Sequence, residues 1–112
     1  MQEIDMSKTI RSMLVLAAVA FLANVAGIAQ TAGAGTYKAK CAGCHGATGL
    51  ADSGLGKVWK VKPVTDPAVE KMSLAAMIDI TKNGAGKMPA YKDKLTDPQF
   101  KEVVEYFRSL MK

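Results

Sequence analysis

The sequence predicts a small all-α protein of about three short helices joined by long loops. Apolar residues recur at three- and four-residue steps near the C-terminus, helix start and stop signals punctuate the chain, and no segment carries a strong strand signal. The 112 residues leave room for one domain. Loops of this length are uncommon in a compact domain unless they are functional. Three short helices also bury too little apolar surface to hold such loops down, so the pattern implies something large and apolar at the centre.

Taken in order, the chain begins with a segment that does not belong to that domain. Residues 13–29 read MLVLAAVAFLANVAGIA, apolar except for Asn24 and free of charge, with Lys8 and Arg11 just before them. A basic stretch, an apolar run and then small residues is the layout of a secretory signal peptide. The basic stretch is cleanest when counted from Met6, since Glu3 and Asp5 dilute it. Gly27-Ile28-Ala29 and Ala32-Gly33-Ala34 both offer small residues for cleavage. The run is short for a membrane span, and Asn24 and Gly27 weaken it. The expected division is a cleaved leader at 1–29 and a domain at 30–112, working outside the cytoplasm.

A first helix is expected at about Thr36 to Ala42, running into the pair of cysteines. GATGLADSGLGKVWKVKPVTDP follows as irregular coil, with at best a short extended run at Lys57 to Val61 and with Asp52 and Asp66 as turn residues. Ser73 can cap a second helix that stops at Asn83-Gly84, with Leu74, Met77, Ile78 and Thr81 on one face. GAGKMPAYKDKL is coil again. The strongest helix then opens at Thr96-Asp97-Pro98-Gln99, where Thr96 and Gln99 form a capping box and Pro98 suits the first turn. Phe100, Val103, Val104, Phe107, Leu110 and Met111 make its apolar stripe.

The leader carries two charges of each sign, so the net charge of +5 belongs to the domain. Its lysines are scattered and are not interleaved with aromatics, which excludes a nucleic-acid site of the usual kind. They can steer acidic partners.

KCAGCHG, residues 40–46, carries the chemistry. Cys41 and Cys44 stand two residues apart, and the only histidine, His45, follows at once. A redox dithiol of this spacing wants a preceding strand in a βαβ setting, and none is predicted. A structural zinc site wants four soft ligands, and the chain has one cysteine pair and one histidine. A disulfide would close a tiny loop, contribute little and leave His45 unexplained. Covalent haem attachment accounts for all three residues: two thioether bonds, and an imidazole for the iron from the same side. Export fits, because that attachment is completed outside the cytoplasm in bacteria.

With these residues in place, the chain from about Gly33 to Lys112 resembles the small bacterial class I cytochromes c: mono-haem, soluble electron carriers with His/Met-ligated iron. In that family a glycine and an aromatic precede the first cysteine by eight and four residues, as Gly33 and Tyr37 do. Cleavage after Ala29 keeps Gly33 in the domain. The family's C-terminal helix crosses the N-terminal one with an aromatic at the crossing, a place that fits Tyr106, with Phe107 beside it. The resemblance implies an all-α, cytochrome c-like fold wrapped around one haem c, covalent through Cys41 and Cys44 and ligated by His45.

The sixth ligand implied is Met88. The family's axial methionine stands in a glycine-rich stretch followed by proline, which NGAGKMPAY matches, and a loop methionine can reach a metal where a helix-face methionine packs. Met77 reads as core filler, and Met72 and Met111 lie beside helix ends. The family further implies a proline carbonyl for His45, here Pro63. It often has a tryptophan on a haem propionate; Trp59 fits that role or a half-buried anchor equally. Tyr91 fits the crevice or the surface.

The expected function is an extracytoplasmic one-electron carrier, not an enzyme, in the periplasm or another exported compartment. It would be monomeric, meeting redox proteins with acidic docking surfaces through lysines such as Lys38, Lys40, Lys57 and Lys87. It would touch a membrane only if the leader stays uncut. Two readings stand beside it: a five-coordinate c-type haem enzyme or gas sensor with Met88 unbound, and a haem-free exported interaction module with a Cys41–Cys44 disulfide.

Overall fold

The computed structural model describes residues 5–112, with the side chains of residues 16–30 outside the described set; most of the expected leader's apolar run falls there. Among the described residues there are six helices and no strand: α1 (Met6–Lys40), α2 (Ala42–His45), α3 (Gly54–Val58), α4 (Pro67–Glu70), α5 (Leu74–Asn83) and α6 (Asp97–Ser109). No helix among the described residues is long and apolar enough to cross a membrane.

The first helix is longer than its expected start at Thr36. It begins at Met6, where the Asp5 side chain accepts from the Ser7 amide, and ends at Lys40. The segment holds no proline before Cys41, and its isolated glycines are tolerated within the helix. All described side chains from Asp5 to Val15 are exposed.

Helix α6 forms as its sequence dictates. Gln99 N–H donates to the Thr96 hydroxyl at 3.4 Å and the Thr96 amide donates to the Gln99 side chain at 2.9 Å, completing the capping box. Phe100, Val103 and Val104 are buried, and with Tyr37, Met77 and Leu95 they make the core. Phe107, Leu110 and Met111 pack against its edge. Helix α5 is capped by Ser73 and stopped at Gly84, whose φ of 76° is the left-handed region that glycine adopts without strain. It buries Met77 and Thr81, with Leu74 and Ile78 half-buried on the same side.

The segment expected to be coil holds two one-turn helices. Where an extended run at Lys57 to Val61 was the expectation, Gly54–Val58 is helical. Ser53 caps it through the Gly56 amide at 3.1 Å, and its hydroxyl donates to the Cys44 carbonyl at 3.2 Å. Asp66, read as a turn residue, accepts from the Ala68 amide at 2.8 Å and so opens α4, with Pro67 in the first turn. The same side-chain bond makes a turn or a cap, depending on whether the next residues continue as helix.

The crossing of α1 over α6 holds the domain together. A Cβ at Gly33 would overlap the Glu102 carbonyl and stand 3.2 Å from the Tyr106 Cβ, so only glycine lets the backbones approach this closely. One turn later, Tyr37 is buried with its ring centroid 5.3 Å from that of Tyr106 and 6.2 Å from that of Phe107. Its hydroxyl donates to the Gly46 carbonyl at 2.6 Å, tying α1 to the end of α2.

Gly33→Ala is expected to cost about 1–3 kcal/mol by forcing the helices apart. Gly35→Ala, which meets open space on the same helix, should instead stabilise by up to about 1 kcal/mol. Denaturant unfolding of the matured protein measures both. Burial raises the Tyr37 phenol well above its ordinary pKa of 10.0. The folded state therefore keeps a proton that the unfolded chain loses above about pH 10, and stability falls as pH rises past that point. Tyr37→Phe should lose about 1 kcal/mol at neutral pH, from the unmade bond to Gly46. It should also show a shallower decline at alkaline pH, read from unfolding midpoints across that range.

Candidate functional site

The end of α1 and the single turn of α2 bring Cys41, Cys44 and His45 together. Cys41 ends α1 with its own amide bonded to the Tyr37 carbonyl at 2.8 Å, and its carbonyl then accepts the amides of Cys44 at 3.2 Å and His45 at 3.0 Å. Gly46, at φ 79°, turns the chain away. The turn is fixed from outside: the Ala51 amide donates to the His45 carbonyl at 2.8 Å, and a Cβ at Gly56 would overlap the Cys44 carbonyl. Helix α3 can therefore lie directly under the motif only because Gly56 has no side chain.

The two thiols are not joined, and both are half-buried. Burial pushes the Cys41 thiol up to about 11; Cys44 acts in the same direction and Lys40 opposes it. A reactive redox dithiol needs a depressed thiol pKa, so this environment argues against that chemistry. Among the described residues no group of three His, Cys, Asp or Glu side chains is arranged to hold a metal ion, which argues against a zinc corner.

Burial also holds the His45 imidazole below its ordinary pKa of 6.5, which keeps the ring neutral with a lone pair to donate. The Phe107 edge packs on it at a centroid distance of 5.3 Å. Its Nδ1 is buried without a hydrogen-bond partner among the described residues. The expected acceptor, the Pro63 carbonyl, takes the Asp66 amide at 2.9 Å in the turn that leads into α4.

His45 borders two adjoining cavities of about 640 and 220 Å³. Cys41, Val61, Ala85 and Met88 line both, so the two are parts of one crevice, with Cys44 in the smaller part. Val69, Met77, Val103, Val104 and Phe107 give the larger part its apolar lining. Met88 is delivered by a tight turn in which Ala85 and Met88 exchange amide bonds at 3.1 and 2.9 Å. A Cβ at Gly84 would stand 2.7 Å from the Met88 carbonyl, so glycine is needed there too.

The other methionines after residue 29 are placed differently. Met77 is buried in the core, and its sulfur lies 4.0 Å from Nη1 of Arg108, which also donates to the Met72 carbonyl at 2.7 Å. Met72 and Met77 border the larger cavity only. Met111 packs against the core at the end of α6. Trp59 caps the end of α3 and borders the smaller cavity, 39 % exposed. Tyr91 borders it as well, and its hydroxyl reaches the Lys40 carbonyl at 3.1 Å. Of the lysines named from sequence, Lys40 and Lys87 edge the smaller cavity, while Lys38 and Lys57 are exposed elsewhere on the surface.

Sequence reasoning missed Gly56, Arg108 and the Tyr91–Lys40 bond. Arg108 alone left a trace: a charge set between Phe107 and Leu110, both turned toward the core.

A largely apolar crevice bordered by two free thiols and a neutral imidazole with an orphaned nitrogen fits the attachment of haem c, and a loop thioether borders the same crevice. Comparisons with known proteins agree. The family model for cytochrome c oxidase, cbb3-type, subunit III matches residues 29–107. Cytochrome c6 of Leptolyngbya boryana is 36% identical over 75 residues, covering 67% of this chain and 85% of the relative. Cytochrome c6 of Bryopsis maxima is 32% identical over 79 residues, covering 66% and 83%. The chain belongs to the cytochrome c family, as a small class I cytochrome c that carries covalently bound haem c and serves electron transfer between redox proteins.

Proposed function

We propose that the protein is an exported one-electron carrier in which Cys41 and Cys44 form the two thioether bonds and His45 and Met88 hold the iron. The observation that carries this reading is the position of Met88. Of the methionines beyond the leader, it is the one that borders both parts of the crevice with His45 and Cys41. Met72 and Met77 border the larger part only, and the Met77 sulfur lies beside Arg108.

Haem c, when bound, would supply the one-electron redox centre. His45, neutral and packed against Phe107, would give its nitrogen to the iron. Met88 would give a soft thioether, a ligand that favours the ferrous state and raises the reduction potential. The apolar lining disfavours the additional charge of the ferric state in the same direction. With His45 and Met88 both given to the iron, no ligand position would remain for a substrate or gas, which separates this reading from an enzyme or sensor.

Export is supported by the leader-like run at 13–29 behind Lys8 and Arg11 and by a family match that begins at residue 29. The domain at 30–112 then acts in the periplasm or an equivalent compartment, as a monomer. Its net charge of +5 and the lysines at the crevice edge favour acidic docking surfaces on its redox partners. That steering weakens as salt rises.

The test is an optical spectrum of the matured protein, oxidised and reduced, with a haem-stained denaturing gel. Covalent haem with a sulfur-to-iron charge-transfer band in the ferric form, abolished in Met88→Ala, is the expected result. A high-spin spectrum with ready carbon monoxide binding would overturn the Met88 ligation, and a gel without haem would overturn the attachment.

A further inference from the structure

A ligand carried on a loop stays in place only if the loop does. The turn around Met88 has no helix of its own, so the residues just after it decide how firmly it is seated. Tyr91, three residues on, is bonded at both ends. Its amide donates to the Thr81 carbonyl at 3.1 Å and the next amide, of Lys92, to the Lys82 carbonyl at 3.1 Å, so this stretch of backbone is fixed to the last turn of α5. Its own carbonyl accepts the amides of Lys94 at 2.9 Å and Leu95 at 3.1 Å. The ring packs against the edge of the core, and the Lys94 ammonium lies 5.3 Å from its centroid.

The hydroxyl end goes elsewhere. The break between α1 and α2 leaves carbonyls of the last turn of α1 in need of partners. The Tyr91 hydroxyl donates to one of them, the Lys40 carbonyl, at 3.1 Å and across 51 residues of chain. Lys40 and Tyr91 border the smaller cavity together with Cys41, Cys44 and Met88. The bond therefore spans the mouth of the crevice, from the segment that carries the cysteines to the segment that carries Met88.

We propose that Tyr91 is a positioning residue whose hydroxyl clasps the Met88 segment to the end of α1 and so sets how readily Met88 leaves the iron. This rests on the ligation of iron by Met88 and adds to it a residue that never touches the metal. The bond lies at the surface, where water competes for both partners. Its loss should shift the opening of the loop and leave the fold as a whole in place.

The experiment titrates the ferric, matured, full-length protein with imidazole, which replaces the thioether on the iron, and follows the charge-transfer band. Tyr91→Phe keeps the ring and its packing and removes only the clasp. Its imidazole Kd is expected to fall about three- to five-fold, the scale of one exposed hydrogen bond. Thr96→Ala, which removes the cap of α6 at a residue that borders neither part of the crevice, serves as the control: it should lower the unfolding midpoint and leave the imidazole Kd unchanged. A Tyr91→Phe Kd equal to that of the unsubstituted protein overturns the clasp. An equal shift in Thr96→Ala overturns it too, since the effect would then track stability in general. The ligation itself fails by a different result, a charge-transfer band that survives in Met88→Ala.

Discussion

The absence of a side chain at Gly33 is the constraint on which the rest of the molecule depends. It lets the backbones of α1 and α6 touch at Glu102, and the cysteine motif and the aromatic residues around it follow from that contact. On α1, Tyr37 packs one turn beyond it, and Cys41 comes one turn after that. On α6, Tyr106 and Phe107 face the same junction, and Phe107 ends against the His45 ring. A displacement at the crossing would thus reach the imidazole through two separate routes. Helix pairs held this tightly move as one body, because packed interiors have little free volume to absorb a shift.

The crevice itself is built by backbone more than by side chains. Gly56 brings α3 under the Cys44 carbonyl, and Gly84 closes the turn against the Met88 carbonyl. Between them lie an apolar cavity and few charges. The cations on its border are Lys40, Lys62 and Lys87. Arg108 is half-buried outside that lining and donates to the Met72 carbonyl just ahead of α5. The bond joins the end of α6 to the start of α5, with the Met77 sulfur 4.0 Å from the same nitrogen.

Much of this is legible in the sequence because it is encoded over a few residues. The spacing of Cys41, Cys44 and His45, the capping box at Thr96 and Gln99, the Ser73 cap and the Gly84 stop are local statements, and the structure repeats each of them. Gly33, Tyr37 and Tyr106 are legible through the resemblance, whose spacing rule ties Gly33 and Tyr37 to Cys41. The helices α3 and α4 are not, because one turn has no hydrophobic period; each exists by virtue of a cap and a neighbour. The start of α1 escapes a sequence reading because the apolar run at 13–29 and the stretch ahead of the cysteines share one continuous helical backbone. Pro63 fits His45 by analogy alone: its carbonyl accepts the Asp66 amide, and the His45 Nδ1 is without a partner among the described residues. The Tyr91–Lys40 bond and the Arg108 tether join residues too far apart for any local pattern to announce them.

Gly56 and Gly84 have one further consequence, which concerns motion. A redox protein slows itself whenever its atoms must rearrange as charge arrives or leaves. Here the cysteine turn is trapped between Gly56 and the Tyr37–Gly46 bond, and the methionine turn is closed on Gly84. The inner frame would then have little to rearrange as charge arrives or leaves, and most of the adjustment to each electron would fall to the solvent outside the crevice.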